Sequence, residues 1–84
     1  MSMEEEIGQI DNYFAKVGVA VLNVTNGLVK LGDKLSIKGT TTDFEMVVES
    51  LQIDREDVDS VSAGTLVGIK VPERVRKGDK VFKV

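Results

Sequence analysis

Gly27-Leu28-Val29-Lys30-Leu31-Gly32-Asp33-Lys34-Leu35-Ser36-Ile37-Lys38-Gly39 is the stretch from which the fold is read. It opens on a turn, passes through a short apolar run, turns again at Gly32-Asp33, and then alternates. Leu35 and Ile37 fall on one side of that alternation; Lys34, Ser36 and Lys38 fall on the other. A period of two with one apolar side describes a β-strand with one buried and one wet face. The C-terminal Gly78-Asp79-Lys80-Val81-Phe82-Lys83-Val84 repeats the device. Two strands launched from the same Gly-Asp-Lys turn predict a small antiparallel β-domain.

Outward from this stretch, strands alternate with turn residues. A first strand is expected over Ile7–Phe14, where Gly8 marks a close backbone approach or a corner. Ala15-Lys16 bends into a second strand, Val17–Val24, whose β-branched density disfavours helix. Asn26-Gly27 reads as a type I′ hairpin turn leading to Leu28–Leu31. Residues 43–53 read as one long strand. Its apolar phase passes from Phe44, Met46 and Val48 to Leu51 and Ile53, which requires a bulge or corner between Val48 and Leu51. Phe44, Val47, Val48 and Leu51 also fit helical spacing, but no cap ends such a helix. Asp54–Val61 is a polar connection with room for one helical turn. Ala63-Gly64-Thr65 turns into the strand Leu66–Val71, which Pro72 ends or sets at an edge. Glu73–Lys77 is a short exposed strand or loop, and Asp79–Val84 closes the sheet. The expected fold is an all-β, small, closed or partly open antiparallel β-barrel of six to seven strands. Residues 1–6 form a flexible acidic tail, and residues 7–84 form a single domain.

Composition narrows the chemistry. The 84 residues suffice for one core. There is no cysteine and no histidine, so thiolate and imidazole chemistry are absent from the chain. No apolar run approaches the ~20 residues that cross a bilayer as a helix. The acidic start Glu4-Glu5-Glu6 is unlike a secretory signal. The expectation is a cytoplasmic protein with no membrane partner, in which the glycosylation-like Asn23-Val24-Thr25 is a chance match. Asp54 to Asp59 fails as a calcium loop: counted from Asp54, position five is Val58 and position six is Asp59. No metal or cofactor site is expected.

The net charge of −3 is unevenly spread. Residues 43–59 hold Asp43, Glu45, Glu49, Asp54, Glu56, Asp57 and Asp59 against Arg55 alone. Residues 70–84 hold Lys70, Arg74, Arg76, Lys77, Lys80 and Lys83 against Glu73 and Asp79. These six cations are the binding candidates, because side chains of this kind hold phosphates or meet an acidic partner. Edge strands also carry such cations simply to prevent aggregation. Tyr13 joins the candidates as a stacking aromatic, since Tyr13 and Phe14 are adjacent and one must face out of a strand. Phe44 and Phe82 fall on apolar phases and are assigned to the core. Asn26, Gly27, Gly32, Asp33, Gly64, Gly78 and Asp79 are structural turn residues, and the two aspartates are assigned no catalytic role.

A family resemblance covers nearly the whole chain. Gly27–Gly39 resembles the G-x-[IL]-[KR]-x-G-[DE]-x-[VIL] segment of domain 2 in translational GTPases such as elongation factor Tu. Val48-Glu49-Ser50-Leu51-Gln52 is similar to that family's V-x-S-[IL] strand, Ser62–Ile69 to its A-G-[DE]-x-V-G-[IV] segment, and Gly78–Val81 to its closing G-D-V-[IL]. Thr65 stands where the family usually carries an acid, and no G-x-x-x-x-G-K-[ST] phosphate loop is present. The resemblance implies a free-standing, translation-factor-like barrel that is no enzyme and contacts RNA or the ribosome. A related barrel is appended to some collagenase-like peptidases. The alternative it implies is therefore an accessory domain that docks on a larger enzyme or factor.

Overall fold

The two Gly-Asp turns are built alike. In the computed structural model, which describes residues 5–84, the Asp33 N–H donates to the Lys30 carbonyl (3.1 Å) and the Asp79 N–H to the Arg76 carbonyl (3.0 Å). Gly32 and Gly78 sit at φ of 90° and 94°, the left-handed position that a type II turn reserves for glycine. The carboxylates return the contact. Asp33 Oδ2 accepts the Lys30 N–H at 3.0 Å, and Asp79 Oδ2 accepts the Arg76 N–H at 2.8 Å. Each turn therefore delivers a strand: β4 (Lys34–Lys38) from the first and β10 (Lys80–Lys83) from the second. The two strands lie side by side, antiparallel, with Val81 opposite Ile37.

The remaining strands are β1 (Glu5–Phe14), β2 (Val19–Val24), β3 (Leu28–Lys30), β5 (Asp43–Val47), β6 (Leu51–Ile53), β7 (Glu56–Asp57), β8 (Ser60–Ser62) and β9 (Thr65–Lys70). Eight strands form one sheet in the order β5-β4-β10-β1-β2-β9-β6-β7, and β3 pairs with β8 as a separate ribbon. No helix occurs among the described residues. With no helical layer to cover it, the sheet buries its apolar side by curling on itself and on the ribbon. Ile7, Ile10, Leu22, Leu35, Ile37, Leu51, Val67, Ile69 and Val81 are almost wholly buried inside. In β2 the buried side is Ala20, Leu22 and Val24, while Val19 and Val21 are half-buried.

The all-β expectation agrees with this architecture, but several details are corrected. Among the described residues, ten short strands replace the six to seven expected. Among the described residues the sheet is not closed into a barrel, because hydrogen bonding stops at β5 on one side and β7 on the other. Residues 43–53 are two strands rather than one: β5 pairs with β4, and β6 with β9 and β7. The corner falls at Val48-Glu49-Ser50, where the apolar phase changes. It is tied to the first Gly-Asp turn, since the Gly32 N–H donates to the Val48 carbonyl (2.9 Å) and the Val48 N–H to the Asp33 carbonyl (2.8 Å). Strand β1 begins at Glu5, inside the segment expected to be a flexible tail; the rest of that tail, residues 1–4, lies outside the described residues. Strand β2 begins at Val19 rather than Val17, and residues 71–79 form a loop.

Asn26-Gly27 is not a hairpin turn, because β2 and β3 do not pair with each other. Instead the Thr25 and Asn26 N–H groups both donate to the Ile7 carbonyl, at 2.8 and 3.1 Å. Gly27 alone of the pair takes positive φ, at 76°. The turn with positive φ at both centres is Asp54-Arg55 (50° and 68°), joining β6 to β7 where one helical turn had room to form. Its residues carry no glycine to announce it, although aspartate tolerates this conformation better than most.

Two positions fix the approach of strands. A β-carbon on Gly8 would collide with the Asn23 carbonyl oxygen, beside a bulge where β1 changes register against β10. A β-carbon on Gly39 would fall on the Asp79 carboxylate. Asp79→Ala should therefore lower stability by about 1–3 kcal/mol, the cost of leaving a part-buried N–H of the turn without its charged acceptor. Gly8→Ala should cost at least as much through backbone displacement. Urea midpoints read both, and a midpoint unchanged in either variant would contradict these contacts.

Candidate functional site

The six basic candidates lie on the end of β9, on the 71–79 loop and on β10. Lys70 ends β9 opposite Val19. Arg74, Arg76 and Lys77 are exposed on the 71–79 loop. That loop is held down by buried Val75 and by two hydrogen bonds, Gly78 N–H to the Ile10 carbonyl and Ile10 N–H to the Asp79 carbonyl, both 2.8 Å. Lys80 lies across from Lys38 in the sheet, with its ammonium 4.0 Å from Glu6. Lys83 points elsewhere: its Nζ is 3.2 Å from Asp33 Oδ2 and donates to the Leu28 carbonyl at 3.1 Å. Lys83 thus ties the second Gly-Asp-Lys unit to the first. Tyr13 is half-buried against the core, and the aromatic that projects is its neighbour Phe14, 48% exposed. Phe44 is half-buried against the core, and Phe82 carries the Lys38 ammonium 5.9 Å from its ring centre.

Gly27, Gly32, Gly64 and Gly78 all have positive φ, and Asn26 Nδ2 donates to Glu5 Oε1 at 3.2 Å. The carboxylates of Asp33 and Asp79 are engaged with backbone amides of their own turns. Among the described residues no three carboxylates converge closely enough to hold a metal ion.

What the sequence did not single out is a pair of grooves flanking the Val48–Ser50 corner. The larger, about 520 Å³, lies between Met46, Val47 and Glu49 on one wall and Lys70, Val71 and Pro72 on the other. The smaller, about 230 Å³, has Leu31, Leu51 and Val58 among its lining, together with Glu49, Asp57 and Asp59. Glu49 borders both. The phase change at residues 48–51 was the available signal, because a strand that turns there leaves the flank of β5 without a neighbour. Of the residues proposed for binding, only Lys70 lines either groove.

Comparison with known proteins places this architecture. No protein-family model matches the chain. It is 42% identical over 78 residues to an uncharacterized protease of Methanocaldococcus jannaschii, a match covering 92% of this chain and 19% of that protein. It is 31% identical over 78 residues to a collagenase of Porphyromonas gingivalis, covering 92% of this chain and 22% of the collagenase. The chain thus spans about a fifth of the length of these curated relatives. Its fold matches the C-terminal domain of a Geobacillus thermoleovorans protein assigned to the U32 peptidases, with a TM-score of 0.88 and 20% identity, over 95% of this chain and 92% of that domain. The translation-factor reading, with its RNA or ribosome partner, is corrected by these relatives, which are named for proteolysis. The physical reason is plain. The segments that carried the resemblance are turns and inward strand residues, which specify a backbone and not a partner.

The contact between the two Gly-Asp-Lys units is testable by itself. Lys83→Met should cost about 0.2–1 kcal/mol, because the lysine end of the pair is partly solvated. Asp33→Ala should cost more, since it also strips the acceptor from the Lys30 N–H. A double-mutant cycle on urea midpoints should return a coupling that shrinks at high salt; zero coupling at low salt would mean that the pair contributes nothing.

Proposed function

We propose that this chain is a non-catalytic accessory domain of the U32 peptidase type, acting by docking on a larger peptidase polypeptide. The observation that carries the reading is the extent of the match to the archaeal protease: 92% of this chain against only 19% of that protein. A similarity that fills one chain and a fifth of the other is what a shared module leaves. The fold of the Geobacillus C-terminal domain supports the same reading. The chain's own chemistry is consistent with a binding role. It has no histidine or cysteine, and the carboxylates of both Gly-Asp turns are committed to backbone amides. Charge asymmetry between residues 43–59 and the C-terminal third would orient such docking more than strengthen it.

The test uses the purified chain and the Methanocaldococcus protease with its matching segment deleted. The chain alone should leave heat-denatured collagen uncut. Mixed with the shortened protease, it should form a complex with a dissociation constant of roughly micromolar order or tighter, seen by sedimentation. Cleavage by the chain alone, or no complex at tens of times that concentration, would overturn the reading.

A further inference from the structure

The free flank of β5 has a defined hydrogen-bonding pattern. Gly39 and Thr42 exchange backbone hydrogen bonds at the mouth of the β4–β5 hairpin, N–H to carbonyl distances being 2.7 and 3.4 Å. Along an antiparallel register such pairs alternate with pairs that exchange none. Asp43, Glu45 and Val47, opposite Lys38, Ser36 and Lys34, are of the second kind. Their N–H and C=O groups therefore point away from β4, and among the described residues no strand pairs with β5 on that side. An unpaired edge of this length is a template for another strand. The larger groove runs beside it, with Met46, Val47 and Glu49 on one wall and Lys70, Val71 and Pro72 on the other.

We infer that the β5 edge and its flanking grooves bind an extended, lysine- or arginine-bearing segment of a partner polypeptide by strand addition. Backbone pairing would go to Asp43, Glu45 and Val47. Alternate apolar side chains would enter the groove beside Val71 and Pro72, as strand-addition sites generally arrange. The charge of the occupant follows from the rim. Glu49 borders both grooves, and Asp57 and Asp59 join it at the smaller one, whose described lining residues include no cation. A basic side chain could lay its methylenes over Leu51 and Val58 and its charge against these acids. The same acids disfavour a second copy of this chain. Two β5 edges paired antiparallel about Glu45 would set Glu45 against Glu45, and directly opposed like charges destabilise a sheet; the exposed Lys34–Glu45 ion pair, at 3.0 Å, offsets part of that repulsion. The inference does not depend on the peptidase reading, since it concerns any polypeptide that offers such a strand.

The probe is a capped synthetic heptapeptide alternating lysine and valine, titrated into the isotopically labelled 84-residue chain. Saturable amide shifts should centre on residues 43–51, with slowed hydrogen exchange at Asp43, Glu45 and Val47. Affinity should fall severalfold between about 50 and 500 mM salt. Val47→Pro removes an N–H that faces the free edge, a change edge strands tolerate, and should weaken binding about tenfold or more. Glu49→Lys, which leaves the backbone edge intact, should weaken it severalfold and covers the case in which the proline variant fails to fold. The inference is overturned if no shifts appear, if they centre elsewhere, if an alternating glutamate–valine peptide binds equally well, or if the shifts prove to report self-association through β5. Unchanged affinity in the folded proline variant or in Glu49→Lys would overturn it as well.

Discussion

Everything in this domain hangs on a carboxylate that accepts the backbone N–H three residues before it. Asp33 and Asp79 each close a type II turn in this way, with glycine supplying the left-handed step beforehand. The turns orient β4 and β10 so that they pair directly, and these strands occupy the middle of one half of the sheet. The first turn also holds the Val48 corner through two backbone hydrogen bonds and receives Lys83 from the second unit. One local motif, used twice, thus sets a strand pair, a corner and an ion pair. Asp79 is buried, and a buried carboxylate is tolerable only because its acceptor capacity is met.

The corner explains why the domain has a usable edge. A strand that continued straight from Asp43 to Ile53 would offer one long flank. The chain instead leaves β4 after Val47 and joins β9 from Leu51, crossing from one end of the sheet order toward the other. Hydrogen bonding does not complete the circuit, so grooves remain on both sides of Glu49. Such an edge would be a hazard for aggregation in a domain without acids there. Its carboxylates make the edge selective, because they repel an identical edge while leaving the backbone pattern open to an unlike one.

The relatives alter the meaning of the family likeness without altering the fold. Gly27–Gly39, Ser62–Ile69 and Gly78–Val81 were legible because turn glycines and alternating aliphatics are local signals. They carried the all-β class and the position of the 48–51 corner. What each basic residue meets was not legible from proximity in the sequence: Lys83 reaches Asp33 and the Leu28 carbonyl, Lys80 lies beside Glu6, and Arg74, Arg76 and Lys77 ride on a loop. The Asp54-Arg55 turn was missed for the opposite reason, since its positive φ angles occur in residues that seldom adopt them.

By itself the sequence determined the local grammar of this protein: where glycine must turn, which aliphatics face inward, and which chemistries are missing with histidine and cysteine. Only the tertiary structure decided which strands are neighbours. Pairing β3 with β8 and β10 with β4 joins segments separated by some tens of residues, and no local pattern encodes a partner at that distance. The open flank of β5 is likewise a property of the assembled sheet, because an edge exists only once every other strand has found its place.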